Sequence, residues 1–364
     1  MVNKKRLVKL FLELLKIDSE SGNEKKVRKY LKKRLCALEL DVAVDKKGNL
    51  YAIHHGTVAG PSLLFSSHMD TVTPGKGIIP VVKDNKILSK GNTILGADDK
   101  SGIAEIVEMI TVIKEKKLDS ASIVLIFTVE EEVGLKGVKK IQPIQVDYGF
   151  VLDLGGEIGT IAVKAPNHDA FVATVTGKAA HAGIEPEKGI NAIVCVSKAI
   201  AACKLGRIDV DTVANIGIIN GGRATNIVAE EVVVKGEVRS FSKKKLRKQM
   251  LTLKEAFIAQ CKKAGASVEF VETKEYSSFD LSKQKTLIKI CKKAAKKAGL
   301  KYNPISTGGG SDANFFNEMG IPTAVLSTGM SKVHTSSEEI KVSDMVKATE
   351  YILAIVNRAS KQKL

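Results

Sequence analysis

Along the first 165 residues the apolar positions alternate between helical spacing and nearly continuous short runs. Helical spacing over residues 2–16 and 24–38 predicts two amphipathic helices, and SGNE at 21–24 resembles a helix start with Ser21 or Asn23 as cap. Residues 41–45 and 50–54 read as strands, while SLLFSS at 62–67 has the unbroken apolar character of a buried strand. A helical stripe follows at 102–114, then two further buried runs, SIVLIFTV at 122–129 and DYGFVL at 147–152. Strands alternating with helices predict an α/β layer, with a mostly parallel sheet and helices on both faces.

From about residue 166 to 275 the pattern changes. Residues 171–177 and 231–239 are β-rich, and 191–205 and 243–264 have helical periodicity, which suits a smaller α+β domain. Beyond about 281 the α/β character returns with a helix, Ile305, the GGGSDAN loop and an apolar run at 323–327. The expected organisation is one domain of residues 1–165 and 276–364 interrupted by an inserted domain at 166–275. A length of 364 residues agrees with two domains.

Composition changes this picture in one respect. The net charge of +17 raises the question of a nucleic-acid or anionic-surface partner. The lysines, however, concentrate at 24–34, 243–248 and 285–301. There Tyr30, Leu31 and Leu35, or Leu287, Ile288, Ile290 and Cys291, recur at helical spacing. Such segments are amphipathic helices with solvated basic faces. No aromatic RNA-binding pattern, zinc knuckle or arginine cluster accompanies them, and there is no Trp. A basic nucleic-acid-binding protein remains the rival from another class; the expectation is no nucleic-acid partner. The five scattered cysteines point to reduced thiols. Lys9, Glu13 and Lys16 break the apolar N-terminus at helical spacing, which argues against a signal peptide. No run of about 18 apolar residues exists to span a membrane. A soluble cytoplasmic protein is expected.

The candidate chemistry lies where the buried runs end. His68 follows SLLFSS, Asp98 and Asp99 precede a helix in LGADDKSG, and Glu130, Glu131 and Glu132 follow SIVLIFTV. Asp153 follows GFVL, and His334 lies shortly after TAVLSTG. The carboxyl ends of parallel strands are where ligands bind in open α/β sheets. Several ends, each offering a histidine or an acid, form a metal-site pattern. Each piece has a plainer reading alone. In HMD, Asp70 either orients a metal-bound His68 through its second ring nitrogen or is a turn residue. GADDKSG serves equally as a helix cap. Three adjacent glutamates repel one another and need a cation or exposure, and a buried Asp153 needs a ligand. His54 and His55 read as surface residues of an edge strand. Imidazole and carboxylate without thiolate suit zinc, with manganese or cobalt also possible. One carboxylate shared by two ions, with a histidine and an acid at each, would make a co-catalytic pair.

The motifs SSHMDTV, GADDKSGIAEI, FTVEEEVGLKG, VLDLGG, GKAAHAGIEPEKGINAI, GGRATNIVAE, TGGGSDAN and VHTSSE span nearly the whole chain. Their order and spacing resemble the zinc exopeptidase family that contains peptidase T, carboxypeptidase G and succinyl-diaminopimelate desuccinylase, the peptidase T-like branch above all. The resemblance implies two zinc ions per subunit: His68 and Asp153 on one, Glu132 and His334 on the other, and Asp98 bridging. Glu131 would be the general base, taking a proton from the attacking water and delivering it to the leaving amine. Asp70 would orient His68. EEE stands where Asp-Glu-Glu is commoner, and the distance to Gly134 selects Glu131 and Glu132. His181 would reach across a homodimer to stabilise the oxyanion. Asn226, Arg239 and Gly309 match substrate-binding positions: a guanidinium suits a peptide carboxylate, and glycines let backbone approach a substrate. Arg239 also reads as an exposed strand arginine. The glycine loop lacks phosphate-loop spacing. The implied activity is removal of an N-terminal residue from tripeptide-like substrates. A carboxypeptidase or an N-acyl-amino-acid amidohydrolase with the same metal site is the alternative.

Overall fold

The two longest apolar runs of the N-terminal region lie side by side at the centre of a sheet. Leu63–His68, buried along its whole length, sits between Ile123–Thr128 and Tyr148–Leu154 and runs parallel to both. Thr323–Ser327 continues the parallel set beyond Tyr148–Leu154. Antiparallel strands flank this centre: Leu50–His54 on Ile123–Thr128, and Thr160–Ala165 on Thr323–Ser327. The computed structural model describes residues 1–362, and among these the sheet has nine strands.

Helix Ala97–Glu115 packs on Leu63–His68 and Tyr148–Leu154, and helices Lys4–Leu15 and Val342–Ala359 pack against it in turn. Almost every residue from Ala97 to Ile113 is buried, so this stretch has no solvent-facing stripe. Lys4–Leu15 buries Leu7, Leu10, Phe11, Leu14 and Leu15 on one stripe. Each such side chain contributes about 1.5–3 kcal/mol through burial.

Three local expectations are corrected. Helix Ala97–Glu115 begins five residues before the predicted stripe, behind Gly96 at φ 76°, and takes in Asp98 and Asp99 with irregular backbone angles. Glu24, not Ser21 or Asn23, is the N-cap of Lys25–Ala37, without a side-chain capping bond. Leu50–His54 is not an edge strand, because Asp41–Val44 pairs along its outer side. There His54 Nε2 lies 2.9 Å from Ser120 Oγ, and His55 pairs with Asp41 at 2.6 Å.

A small antiparallel sheet that the apolar pattern does not predict joins Pro80–Lys83, Lys86–Ser89, Glu339–Lys341 and Met330–Ser331. Its last two strands close the 332–338 loop, which carries His334.

A second compact unit comprises Ala165–Phe279 with Gly308–Gly310. Its five-stranded sheet is antiparallel throughout, with Asn167–Thr176 and Glu231–Ser240 at its centre. Burial alternates along Glu231–Ser240 because helices Ala192–Ala201 and Lys243–Ala264 cover one face. Phe171, Val234, Leu253 and Phe257 lie in that core.

Candidate active site

His68 is the last residue of its strand and is 2% exposed. Its Nδ1 donates to the main-chain carbonyl of Asp70 at 2.9 Å, which leaves Nε2 facing Asp98 Oδ1 at 3.1 Å and Asp153 Oδ1 at 3.9 Å. The sheet itself sets this spacing: Ser66 pairs with Val151, and continuing the register brings His68 level with Asp153. The other carboxylate oxygen of Asp98, Oδ2, lies 3.1 Å from His334 Nε2, which is also 2.9 Å from Glu132 Oε1. Asp98 therefore offers one oxygen to each histidine. Two trios result, His68–Asp98–Asp153 and Asp98–Glu132–His334, each with its ligand atoms within 4.8 Å of one another.

The three glutamates of EEEVG do not point the same way. Glu130, at φ 50°, turns outward to Lys47 and to Lys136 at 3.7 Å. Glu132 faces His334. Glu131 interacts electrostatically with His68, Asp312 and Glu132. The backbone of this turn is held by Asp70, whose Oδ1 accepts from Glu131 N at 2.9 Å and whose Oδ2 accepts from Glu132 N at 3.2 Å. Ser21 Oγ completes the carboxylate at 2.7 Å. The buried Asp70 thus meets His68 chiefly through its carbonyl, its Oδ1 being 3.5 Å from the ring, and organises the glutamate turn with its side chain. The sequence leads one to expect the Asp70 carboxylate on the His68 ring, whereas the main-chain carbonyl takes that bond, and it gives no sign of the turn.

Charge in this cluster is poorly balanced within the protein. Burial, reinforced by Asp98 and Glu131, raises the Asp153 carboxyl well above its ordinary range. Burial, with Asp312 and Glu132, raises Glu131 likewise, against the pull of His68. Burial disfavours a charged His68, and Asp70 and Asp98 outweigh it, so the imidazole is raised. Contacts with Asp98 and Glu132 push His334 up to about 10. A histidine nitrogen 3.1 Å from a carboxylate oxygen requires a proton or a cation between them. Ligands about 2.0–2.2 Å from a common ion would sit at such separations. Two imidazoles and three carboxylates, without thiolate, form a donor set that fits divalent cations.

The remaining expected site residues lie in the second unit, where His181 and Asn226 are brought together. Both are exposed; Ala182 N donates to the Asn226 carbonyl at 2.9 Å, and His181 bridges Ile227. His181 Nδ1 accepts from Gly183 N at 3.2 Å, which places the ring proton on Nε2. Arg239 is gripped by Glu237, Nε and Nη2 each donating at 3.0 Å, and Nη1 reaches the Gly308 carbonyl at 3.4 Å. Gly309 follows in the same loop, and Gly310 lies so close to the Tyr276 ring that a Cβ would clash at 2.2 Å.

Residues 64–358 match the sequence profile of peptidase family M20/M25/M40. The chain belongs to this family. Over 99% of its length it is 42% identical to the whole of protein YqjE of Bacillus subtilis, and over 97% it is 27% identical to 98% of peptidase T of Clostridium perfringens. Among solved structures, a tripeptidase from Staphylococcus aureus superposes with a TM-score of 0.96 at 38% identity, covering all of both chains. An aminopeptidase PepT from Bacillus cereus gives 0.91 at 40% identity, covering 99% of this chain and all of the other. The chain is thus a peptidase T-like M20 member and a hydrolase acting on peptide bonds. M20 is a metal-dependent family, and the two trios are this member's possible metal-binding group. No helix of the described residues is long and apolar enough to cross a membrane.

Proposed function

We propose that this M20 peptidase is a di-metal aminopeptidase that removes the N-terminal residue of short peptides, tripeptides foremost. The observation that carries the reading is Asp98, whose two oxygens each lie 3.1 Å from a different histidine Nε2. Similarity to the tripeptidase of Staphylococcus aureus and the aminopeptidase of Bacillus cereus supports the substrate class. His68 and Asp153 would hold one ion, Glu132 and His334 the other, and Asp98 both, with zinc preferred and manganese or cobalt as substitutes. Such ions supply Lewis-acid charge at the scissile carbonyl and acidify the attacking water.

The chain's own groups do the rest. Glu131, raised in basicity by burial and by its acidic neighbours, takes the proton of the attacking water and hands it to the leaving amine. Asp70 aims both ends of this apparatus, holding His68 Nδ1 through its carbonyl and the Glu131 and Glu132 amides through its carboxylate. His181, with its proton on Nε2, is a donor suited to an oxyanion. Arg239, oriented by Glu237, and the Gly309 loop with Asn226 would bind the far end of the peptide.

A homodimer is part of this reading. Beyond Ala214, strand Thr212–Gly221 has no pairing partner on its outer edge among the described residues, and Ile218 and Ile219 on it are more than half exposed. A second copy pairing there would cover a bare edge that otherwise invites association. Cytoplasmic peptides are the proposed substrates, a reading that the free cysteines support.

The test is hydrolysis of free tripeptides, N-acetylated tripeptides and N-acyl amino acids after loading with zinc, manganese or cobalt. Release of the first residue from free tripeptides is expected. Activity confined to N-acyl amino acids, or release from the C-terminus, would overturn the aminopeptidase assignment.

A further inference from the structure

Glu338 ends the loop that carries His334, yet its side chain serves a segment more than 240 residues earlier. The residue is buried, 1% exposed. Oε2 accepts from Leu95 N at 2.8 Å and Gly96 N at 2.7 Å, and Oε1 accepts from Asp98 N at 3.0 Å. These amides belong to the start of helix Ala97–Glu115, whose N-cap is Gly96 and which has no capping side chain of its own. Three converging amides at a helix start make a favourable seat for a carboxylate, and bonds from N–H to an ionised acceptor are stronger than neutral ones.

Its own backbone is equally constrained. Glu338 N donates to the Thr335 carbonyl at 3.1 Å, and the next residue enters strand Glu339–Lys341, which pairs with Met330–Ser331 and Lys86–Ser89. His334 stands within this closed loop at φ 62°, a left-handed conformation that a histidine adopts only when its surroundings impose it. Glu338 is therefore the tie between the loop presenting His334 and the turn presenting Asp98.

We infer that Glu338 is a positioning residue that sets the separation of Asp98 from His334, and thereby preforms the Asp98–Glu132–His334 half of the metal site. This rests on the di-metal reading above. It acts on the second trio rather than the first because His68 and Asp153 are placed by neighbouring strands.

The substitution Glu338→Gln keeps the volume and puts an NH2 against amides that need acceptors. In the full-length chain stripped of metal, the amides of Leu95, Gly96 and Asp98 should exchange with deuterium at least about tenfold faster than in wild type. Zinc titration against a chromophoric chelator should find one ion bound as in wild type and the other weakened about 10- to 100-fold, the usual effect of losing such a support. Turnover should recover in excess zinc. Glu339→Gln, which removes the adjacent carboxylate paired with Lys86 and Lys332, should change neither affinity. If both ions bind Glu338→Gln as tightly as wild type, or are weakened equally, the positioning role is wrong. If wild type itself binds no zinc, the di-metal reading falls and this inference falls with it.

Discussion

The two halves of the acidic cluster share Asp98 but are built in different ways. His68 and Asp153 stand on adjacent parallel strands, and the ladder between Leu63–His68 and Tyr148–Leu154 brings them level. Glu132 and His334 stand on loops, and the His334 side chain is 50% exposed. What the sheet does for the first half, hydrogen bonds donated by backbone amides to carboxylates do for the second: the glutamate turn to Asp70, and the Asp98 turn to Glu338. A site with one rigid half and one clamped half would hold a first ion by fold and a second by a few replaceable contacts.

The largest expected effect falls on the group that belongs to neither half. Glu131→Gln should retain both ions by elemental analysis while turnover drops about 10²- to 10⁴-fold, the usual worth of a general base. A turnover close to wild type would remove Glu131 from that role, and loss of an ion would make it a ligand.

The contrast between halves is tested directly by their histidines. His334→Ala should bind one ion in place of two and lower the melting temperature of metal-free protein less than the loss of the buried His68 does, because the half-exposed His334 pairs are screened by solvent. His68→Ala should lose an ion and also destabilise metal-free protein by about 1–3 kcal/mol, because it leaves buried acids without their partner. Equal behaviour of the two variants would abolish the distinction. Acidity sharpens it further. Because Asp98 and Glu132 raise His334 to about 10, this residue must lose a proton to take up an ion at neutral pH. Affinity for the second ion should climb about tenfold per pH unit between about 7 and 9. In metal-free protein the sign is opposite: a raised histidine stabilises the fold fully below its ordinary value of 6.5, and the contribution fades as pH rises through about 10. Flat zinc affinity over that range would contradict the His334 assignment.

Asp70→Asn comes next, since it touches both halves. An amide keeps the backbone carbonyl for His68 but supplies one acceptor fewer to the Glu131 and Glu132 amides. Turnover should fall about 10- to 100-fold, with the weaker ion more affected than the tighter one. Loss confined to the first ion would place Asp70 with His68 alone.

How much of this was legible follows the same division. Strand ends are readable because unbroken apolar runs such as SIVLIFTV reveal buried strands, and the acid or histidine after each run stands out against them. The clamps are not readable, because an acid accepting from distant amides has no local spacing: Glu338 lies 240 residues from Asp98. Ser21 illustrates the same limit, since SGNE resembles a cap while its hydroxyl goes to Asp70. The small sheet beneath the His334 loop did leave a signal. Asp84 and Asn85, both at positive φ, form the turn between Pro80–Lys83 and Lys86–Ser89, and an Asp-Asn pair between VVK and KIL is a hairpin signature. Its strands are short and mostly exposed, so no apolar run marks them.

The smallest expected effect tests the register of the three glutamates, on which the loop half depends. Glu130 opens the turn at φ 50° and spends its carboxylate on Lys47 and Lys136, while its own N–H donates to Glu24 Oε1 at 3.2 Å. Ion pairs open to solvent contribute about 0–1 kcal/mol, so Glu130→Gln should keep both ions and change kcat/KM by less than about fivefold. Glu132→Gln, two residues on, should lose the second ion because it removes the carboxylate 2.9 Å from His334 Nε2. The pair discriminates where either alone does not. Had the register slipped by one, Glu131 would be the ligand and Glu130 the base; Glu130→Gln would then abolish turnover and Glu132→Gln would be mild. That outcome would leave the strand-borne half intact and force the loop-borne half to be rebuilt around a different pair of acids.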